Sequence, residues 1–286
     1  MTEHRPTFFS TEYKATDGYV LYGRHYQCDA PLGVVVIASA TGVPQGFYQK
    51  FAQFAAANMF DVVTFDYRGI GESAPDNLRG FEMDYRDWAR KDLQAVIETV
   101  SEFNLPVFLV GHSYGGHSLG LINNHHKVSA AYFLGAGAGW HGWMPKLEGL
   151  KVSFMWNVIA PVITRLKGYL GWSALGMGED LPLGVYKQWK RWCSFPYYFF
   201  DDPTQPQMKQ QFAEVKTPIK AATATDDKWA MPQSRDAFMQ HYSEAELTKV
   251  DIEPSSAGLK TIGHMGYFRS ASAALWPDVI AFFAEQ

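Results

Sequence analysis

Val107-Phe-Leu-Val-Gly-His-Ser-Tyr-Gly-Gly116 is the stretch that decides how this 286-residue chain folds. Its first four residues are apolar, as in a short strand buried on both faces. They run straight into Gly111-His112-Ser113-Tyr114-Gly115, a G-x-S-x-G pentapeptide, and a helical pattern follows. Alone, such a pentapeptide is a weak signal, because five positions with three fixed recur by chance. Between a buried strand and a helix it describes a sharp, strained turn. That turn pushes a serine hydroxyl out at the strand's carboxyl end, above a helix N-terminus that favours developing negative charge. The glycines leave room for the backbone to pass its neighbours.

The same alternation extends on both sides. Residues 33–40 are a continuous apolar run, residues 60–65 a second buried strand, and residues 128–134 a further strand. Residues 47–58 and 85–103 keep helical spacing, and residues 119–124 continue the helix after the serine. Residues 8–15 and 19–28 carry β-formers around Thr16-Asp17-Gly18, which predicts a hairpin. The pattern returns with strands at 218–225 and 247–252 and helices at 233–242 and 270–283. Alternating strands and helices predict an α/β architecture, a mostly parallel sheet covered on both faces. Between residues 139 and 215 the alternation stops, and six of the nine tryptophans fall there. A structureless loop of that length is improbable in a compact domain. The expectation is therefore a core of residues 1–138 and 216–286 with a helical cap inserted at 139–215.

Composition removes several classes of function. Hydrophobic residues make up 47% and charged residues 19%, so a full core can form. The net charge is −4 with no long run of like charges, which argues against nucleic-acid binding. Two cysteines, Cys28 and Cys193, make no disulfide framework and fit a reducing compartment. Residues 1–6 lack the apolar run of a leader, and the most lipophilic stretch, residues 152–166, is too short for a bilayer. A cytoplasmic protein with no stable membrane span is expected. Contact of that stretch with a membrane surface is a further reading, and homo-oligomerisation is left open.

A serine hydroxyl needs a base to activate it, and the base needs an orienting acid. Two later stretches are placed to supply them. Thr223-Ala-Thr-Asp226-Asp227-Lys-Trp-Ala-Met-Pro232 ends a strand after the insertion, and Ile262-Gly263-His264-Met265-Gly266 follows the last strand. The remaining histidines have plainer readings. His112 packs beside the serine; His117, His125 and His126 lie on or after the following helix; His4 and His25 belong to the N-terminal region and His241 to a surface helix. No metal-ligand spacing stands out, so neither metal nor cofactor is expected.

With these residues in view, the chain resembles the α/β-hydrolases of the serine-hydrolase type, in the monoglyceride-lipase-like and serine-aminopeptidase-like branch. More narrowly, it is similar to a bacterial group of α/β-hydrolases without an assigned substrate. The matching pieces are Asp66-Tyr-Arg-Gly-Ile-Gly-Glu-Ser73, Gly111–Gly116, Gly178-Glu-Asp-Leu-Pro182, Asp226–Ala230 and Ile262–Gly266. The resemblance implies an eight-stranded, mostly parallel sheet with a helical cap after the sixth strand, and a Ser113, Asp227, His264 triad. Asp227 fits the relatives' spacing to a following proline better than Asp226, which is left to cap the turn. The resemblance places the oxyanion-hole amides on Tyr114 and Thr41, although many relatives carry His-Gly where this chain has Ser39-Ala40-Thr41-Gly42. The Asp66–Ser73 turn is read as structural, with Arg68 pairing locally.

The expected reaction is hydrolysis of a small-to-medium apolar carboxylic ester through an acyl-enzyme, carboxylesterase- or lipase-like. Trp140, His141, Trp143 and Trp229 are candidates for the substrate pocket, with lid packing as the plainer role of His141. The same triad also suits an acyltransferase, thioesterase or amidase. Outside enzymes, a catalytically silent ligand-binding protein or a structural partner protein are the alternatives.

Overall fold

The computed structural model describes residues 8–176 and 178–286. His4 and the residues 1–6 read above for a leader lie outside that range, as does Met177 within the expected insertion. β1 (Phe8–Lys14) and β2 (Val20–Tyr26) form the hairpin. Its turn closes where the Gly18 amide donates to the Ala15 carbonyl at 2.8 Å, with Gly18 at φ +88°. β3 (Gly33–Ala38) is buried along its whole length. Then come α1 (Gln49–Ala57), β4 (Phe60–Phe65), α2 (Gln94–Ser101), β5 (Val107–His112), α3 (Tyr114–Ser118) and β6 (Val128–Leu134). After β6 the chain makes α4 (Lys146–Phe154), α5 (Ala160–Lys167), α6 (Leu183–Trp192) and α7 (Met208–Ala213). It returns to the sheet as β7 (Ile219–Ala224), followed by α8 (Pro232–Met239), β8 (Leu247–Ile252) and α9 (Trp276–Ala284).

Among the described residues, eight strands make one sheet in the order β1-β2-β4-β3-β5-β6-β7-β8. β2 runs antiparallel to β1 and β4, and every other neighbouring pair is parallel. This is the expected mostly parallel arrangement, with the added helices entering after the sixth strand. β3 and β5 are neighbours, yet the chain leaves β3 toward β4 and β5 toward β6. The crevice at their carboxyl ends is therefore the switch point at which open parallel sheets bind ligands.

Both faces are covered, which is why the central strands read as unbroken apolar runs. Val35, Ile37, Phe108 and Val110 pack with Phe51 and Ala55 of α1 and Phe283 of α9. Val34, Val36 and Leu109 point the other way, toward Val96, Ile97 and Val100 of α2.

Several local expectations need correction. The helix expected at 85–103 is regular only from Gln94, because residues Trp88–Leu93 form a π-helical turn. The helix after Ser113 does not continue to residue 124: α3 is five residues long, Leu119–Leu121 is a 3₁₀ turn, and Ile122 is extended. Gly115, Gly116 and Gly120 give this segment little helix propensity. A side chain at Gly120 would meet the Phe212 ring at 2.5 Å, so tertiary packing needs glycine there. The last helix begins at Trp276, not residue 270, after a 3₁₀ stretch broken at Ser272. Arg68 does not pair locally either. It bridges Asp17 at 2.7 Å and the buried Asp92 at 2.6 Å, fastening the hairpin turn and the π turn to the loop after β4.

From Lys146 to Lys167 the chain is helical through a π turn at Met155–Ile159. Leu147, Leu150, Phe154, Val158, Val162 and Leu166 recur on it at helical spacing, and all are exposed. No described helix is long and apolar enough to cross a membrane.

Candidate active site

β5 ends at His112, and Ser113 follows at φ +51°, ψ −111°, a backbone conformation that a non-glycine residue holds only under tertiary constraint. Its amide donates to Leu134 at the end of β6 at 3.0 Å. A Cβ on Gly115 would stand 1.9 Å from the Ala38 carbonyl oxygen, and one on Gly111 would stand 2.6 Å from the Gly115 backbone. The glycines of the pentapeptide thus let α3 press directly on β3, and the serine is carried to the switch point.

His264 reaches the same place from the loop after β8. Its Nε2 lies 3.0 Å from Ser113 Oγ, and its Nδ1 lies 2.9 and 3.1 Å from the two Asp227 oxygens. With Nδ1–H donating to the carboxylate, Nε2 is left to accept from the serine hydroxyl. Asp227 is fully buried just past β7 and also accepts from the Tyr267 hydroxyl at 2.8 Å and from the Trp229 and Ala230 amides at 3.0 Å. Burial alone would push its carboxyl up. The facing His264 ring and these hydrogen bonds outweigh burial and hold it below the ordinary carboxylate value.

Asp226 does not touch the ring. The turn-capping role expected of it is replaced by a long-range one. Asp226 accepts from the Thr261 hydroxyl at 2.6 Å and from the amides of Ile262 and Gly263 at 2.9 and 3.0 Å. The adjacent aspartates therefore divide the work: one carboxylate meets the imidazole, and the other anchors the loop that carries it.

His112 is buried with both ring nitrogens engaged. Nε2 donates to the His264 carbonyl at 2.9 Å, and Nδ1 accepts from the Tyr48 hydroxyl at 2.9 Å. Tyr48 in turn accepts from the Ala40 amide at 2.8 Å. Burial pushes the His112 pKa down to about 3, so the ring is neutral in this bridge.

The amides expected to hold an oxyanion, on Thr41 after β3 and Tyr114 at the start of α3, have no protein acceptor among the described residues. The Tyr114 side chain turns away from the cleft. It is buried and donates to the Tyr85 carbonyl at 2.8 Å.

A cleft of about 140 Å³ opens on Ser113, His264 and Thr41, walled by Trp172, Trp189 and Trp229. That is close to the roughly 150 Å³ apolar cavity known to hold benzene. Of the four pocket residues expected from sequence, only Trp229 lines it. Trp140, His141 and Trp143 do not. The chain leaving β6 is tied to the start of α8, where the Ala138 amide donates to the Ser234 carbonyl at 3.0 Å and Gln233 donates to the Trp143 carbonyl at 3.1 Å. Trp143 then donates to the Pro196 carbonyl at 2.8 Å, Trp140 packs against Trp143, and His141 is exposed. Sequence reasoning missed Trp172 and Trp189. Aromatic richness in the insertion was the only signal available, and it does not say which rings face inward.

The family described as serine aminopeptidase, S33, matches residues 29–168, just under half of the chain. Phospholipase YtpA of Bacillus subtilis is 32% identical over 93 residues, which are 32% of this chain and 34% of that protein. Human monoglyceride lipase is 28% identical over 102 residues, 35% of this chain and 33% of that one. The chain thus spans about a third of the length of the curated relatives it matches. A soluble variant of monoglyceride lipase from Saccharomyces cerevisiae superposes with a TM-score of 0.69 at 14% identity, covering 99% of this chain and 96% of that one.

Proposed function

The chain is an α/β-hydrolase by fold, and on that premise we propose that it is a serine hydrolase that cleaves a small-to-medium apolar carboxylic ester. The observation that carries this reading is the unbroken line from Ser113 Oγ through the His264 ring to the buried Asp227 carboxylate, with contacts of 3.0 and 2.9 Å. Ser113 Oγ attacks the ester carbonyl carbon while His264 Nε2 takes its proton. Asp227 keeps the proton on Nδ1 and stabilises the imidazolium that forms. The carbonyl oxygen, now negative, accepts from the amides of Tyr114 and Thr41, which have no other acceptor among the described residues. Collapse of the tetrahedral species breaks the ester C–O bond, and His264 delivers its proton to the leaving alcohol. A water repeats the sequence on the acyl-enzyme, releasing the acid and restoring Ser113.

The cleft volume and its tryptophan walls support an apolar group of modest size, a short acyl chain or one aromatic ring. The test is labelling by a fluorophosphonate together with a series of p-nitrophenyl esters of increasing acyl length, run beside amide and thioester analogues. The expected result is covalent label on the wild type, none on Ser113→Ala, and highest kcat/KM for short acyl esters. An unlabelled wild type, or equal labelling of Ser113→Ala, overturns the reading. Turnover of amides alone overturns the substrate class.

A further inference from the structure

The loop after β3 lacks the His-Gly of many relatives, yet Thr41 is gripped from two sides. On one side its hydroxyl is hydrogen-bonded to the Tyr85 hydroxyl. Tyr85 is fully buried, and its ring stacks on Tyr114 with centroids 4.4 Å apart and on Trp192 of α6 at 5.5 Å. The Tyr114 hydroxyl donates back to the Tyr85 carbonyl at 2.8 Å. One residue therefore contacts both of the residues whose amides the proposed mechanism assigns to the oxyanion. Its own backbone is fixed from α6, where Gln188 Oε1 accepts from the Tyr85 amide at 2.6 Å.

On the other side lies Gly178-Glu-Asp-Leu-Pro182, a motif the mechanism leaves unused. The Glu179 amide donates to the Gly42 carbonyl at 2.9 Å, and Leu181 packs where a side chain on Gly42 would stand. Gly178 sits at φ +129°, and a Cβ there would come within 2.9 Å of the Gly42 oxygen. Asp180 holds the next turn by accepting from the Ser173 amide and hydroxyl at 2.8 and 2.6 Å, beside Trp172 of the cleft wall. Two bonds join Leu170 and Leu181, each at 2.9 Å, so the motif is braced from behind.

We propose that Tyr85 and the Gly178–Pro182 segment are positioning elements that fix the Thr41 amide relative to that of Tyr114, so that the stretch between β6 and β7 completes the oxyanion site. The proposal rests on the serine-hydrolase reading for its catalytic meaning but not for its structural one. Thr41 contributes a backbone donor, so a hydrogen bond on its side chain and one on the neighbouring carbonyl are what hold that donor in place. A lost donor typically costs about 10²–10³-fold in rate, and a displaced one somewhat less.

The test uses the full chain and the variants Tyr85→Phe, Thr41→Val, their double variant and Gly178→Ala. Two quantities are read on each: the rate of fluorophosphonate labelling of Ser113 across pH, and hydrogen exchange of a peptide covering residues 39–48. Thermal midpoints accompany both. Expected for Tyr85→Phe, Thr41→Val and Gly178→Ala are a maximal labelling rate about 10–100-fold lower, an unchanged pH midpoint and faster exchange of the loop. The double variant is expected to be no slower than its worse parent, because the same bond is lost from either end. If Gly178→Ala does not fold, the Tyr85/Thr41 cycle carries the decision. Unchanged loop exchange overturns the proposal, whatever the enzyme does to esters. Faster exchange with an unchanged labelling rate overturns the positioning role while leaving the serine-hydrolase reading intact. A wild type that takes up no label overturns that reading, and the oxyanion role with it.

Discussion

Asp226 and Asp227 are chemically identical neighbours, and a single backbone step sends them to different tasks. Asp227 is sealed beneath the His264 ring, while Asp226 anchors the backbone of residues 261–263. Substitution separates the two roles. Asp227→Asn leaves a group of the same size that presents a donor or the wrong acceptor to Nδ1, which disfavours the productive tautomer. Its kcat is expected to fall by about 10⁴-fold. Asp226→Ala leaves the tautomer alone and loosens the loop; kcat is expected to fall about tenfold, with KM little changed. Steady-state kinetics on any ester the wild type turns over checks both. The opposite ranking would exchange the two aspartates' roles and sink the proposed triad. Spacing to Pro232 favoured Asp227 in the sequence, but it could not reveal the second job of Asp226, whose partners are 35 to 37 residues away.

At the scale of an element, the strand–turn–helix around Ser113 is set by steric exclusion more than by propensity. α3 is only five residues long and contains two glycines, so it forms because β3 and β6 hold it. Gly115→Ala would drive a methyl group to within 1.9 Å of the Ala38 carbonyl. The expected outcome is no folded protein, seen as lost near-UV circular dichroism and insoluble expression. A folded, active Gly115→Ala would show that α3 can move off β3, and the argument for the strained turn would fail. The helices legible from periodicity, α1 and α2, are those whose apolar faces pack on the sheet. The π turn at Trp88–Leu93 was not legible. It accompanies the insertion of Asp92 under Arg68 and of Trp88, whose indole donates to the Arg68 carbonyl at 2.9 Å, and helical spacing carries no mark of such contacts.

At the scale of the whole molecule, burial makes two histidines acid-labile supports. His112 and His117 are both buried, and burial lowers each from the ordinary 6.5 to about 3. Between those values the unfolded chain binds protons that the folded chain refuses. Stability is therefore independent of these groups above about pH 6.5 and declines as the pH falls below it, by up to about 1.4 kcal/mol per pH unit for each ring. His117 stacks on Phe238 with centroids 4.1 Å apart, and its Nε2 donates to the Gly137 carbonyl at 2.9 Å. In His117→Gln the urea midpoint is expected to fall less steeply from pH 6.5 to 4 than in the wild type. Parallel acid limbs for the two proteins would show that His117 protonates freely in the folded state.

The sequence by itself determined an alternating α/β architecture with a mostly parallel sheet, the turn that carries Ser113 and the placing of His264 after the last strand. Those features follow from short-range demands: continuous apolar runs for doubly covered strands, and glycines where backbones approach to less than a side chain's width. Tertiary structure alone decided the strand order through the β3/β5 switch, and that Trp172 and Trp189 join Trp229 in the cleft wall while Trp140 and Trp143 pack elsewhere. It also decided that Arg68 reaches Asp17 and Asp92, and that Glu179 holds the loop of Thr41. The physical reason is that a ring's direction in a helical insertion depends on how the insertion docks. Docking is fixed by contacts between residues far apart in the chain, such as Glu179 with Gly42 and Gln188 with Tyr85, which leave no periodic trace in the sequence.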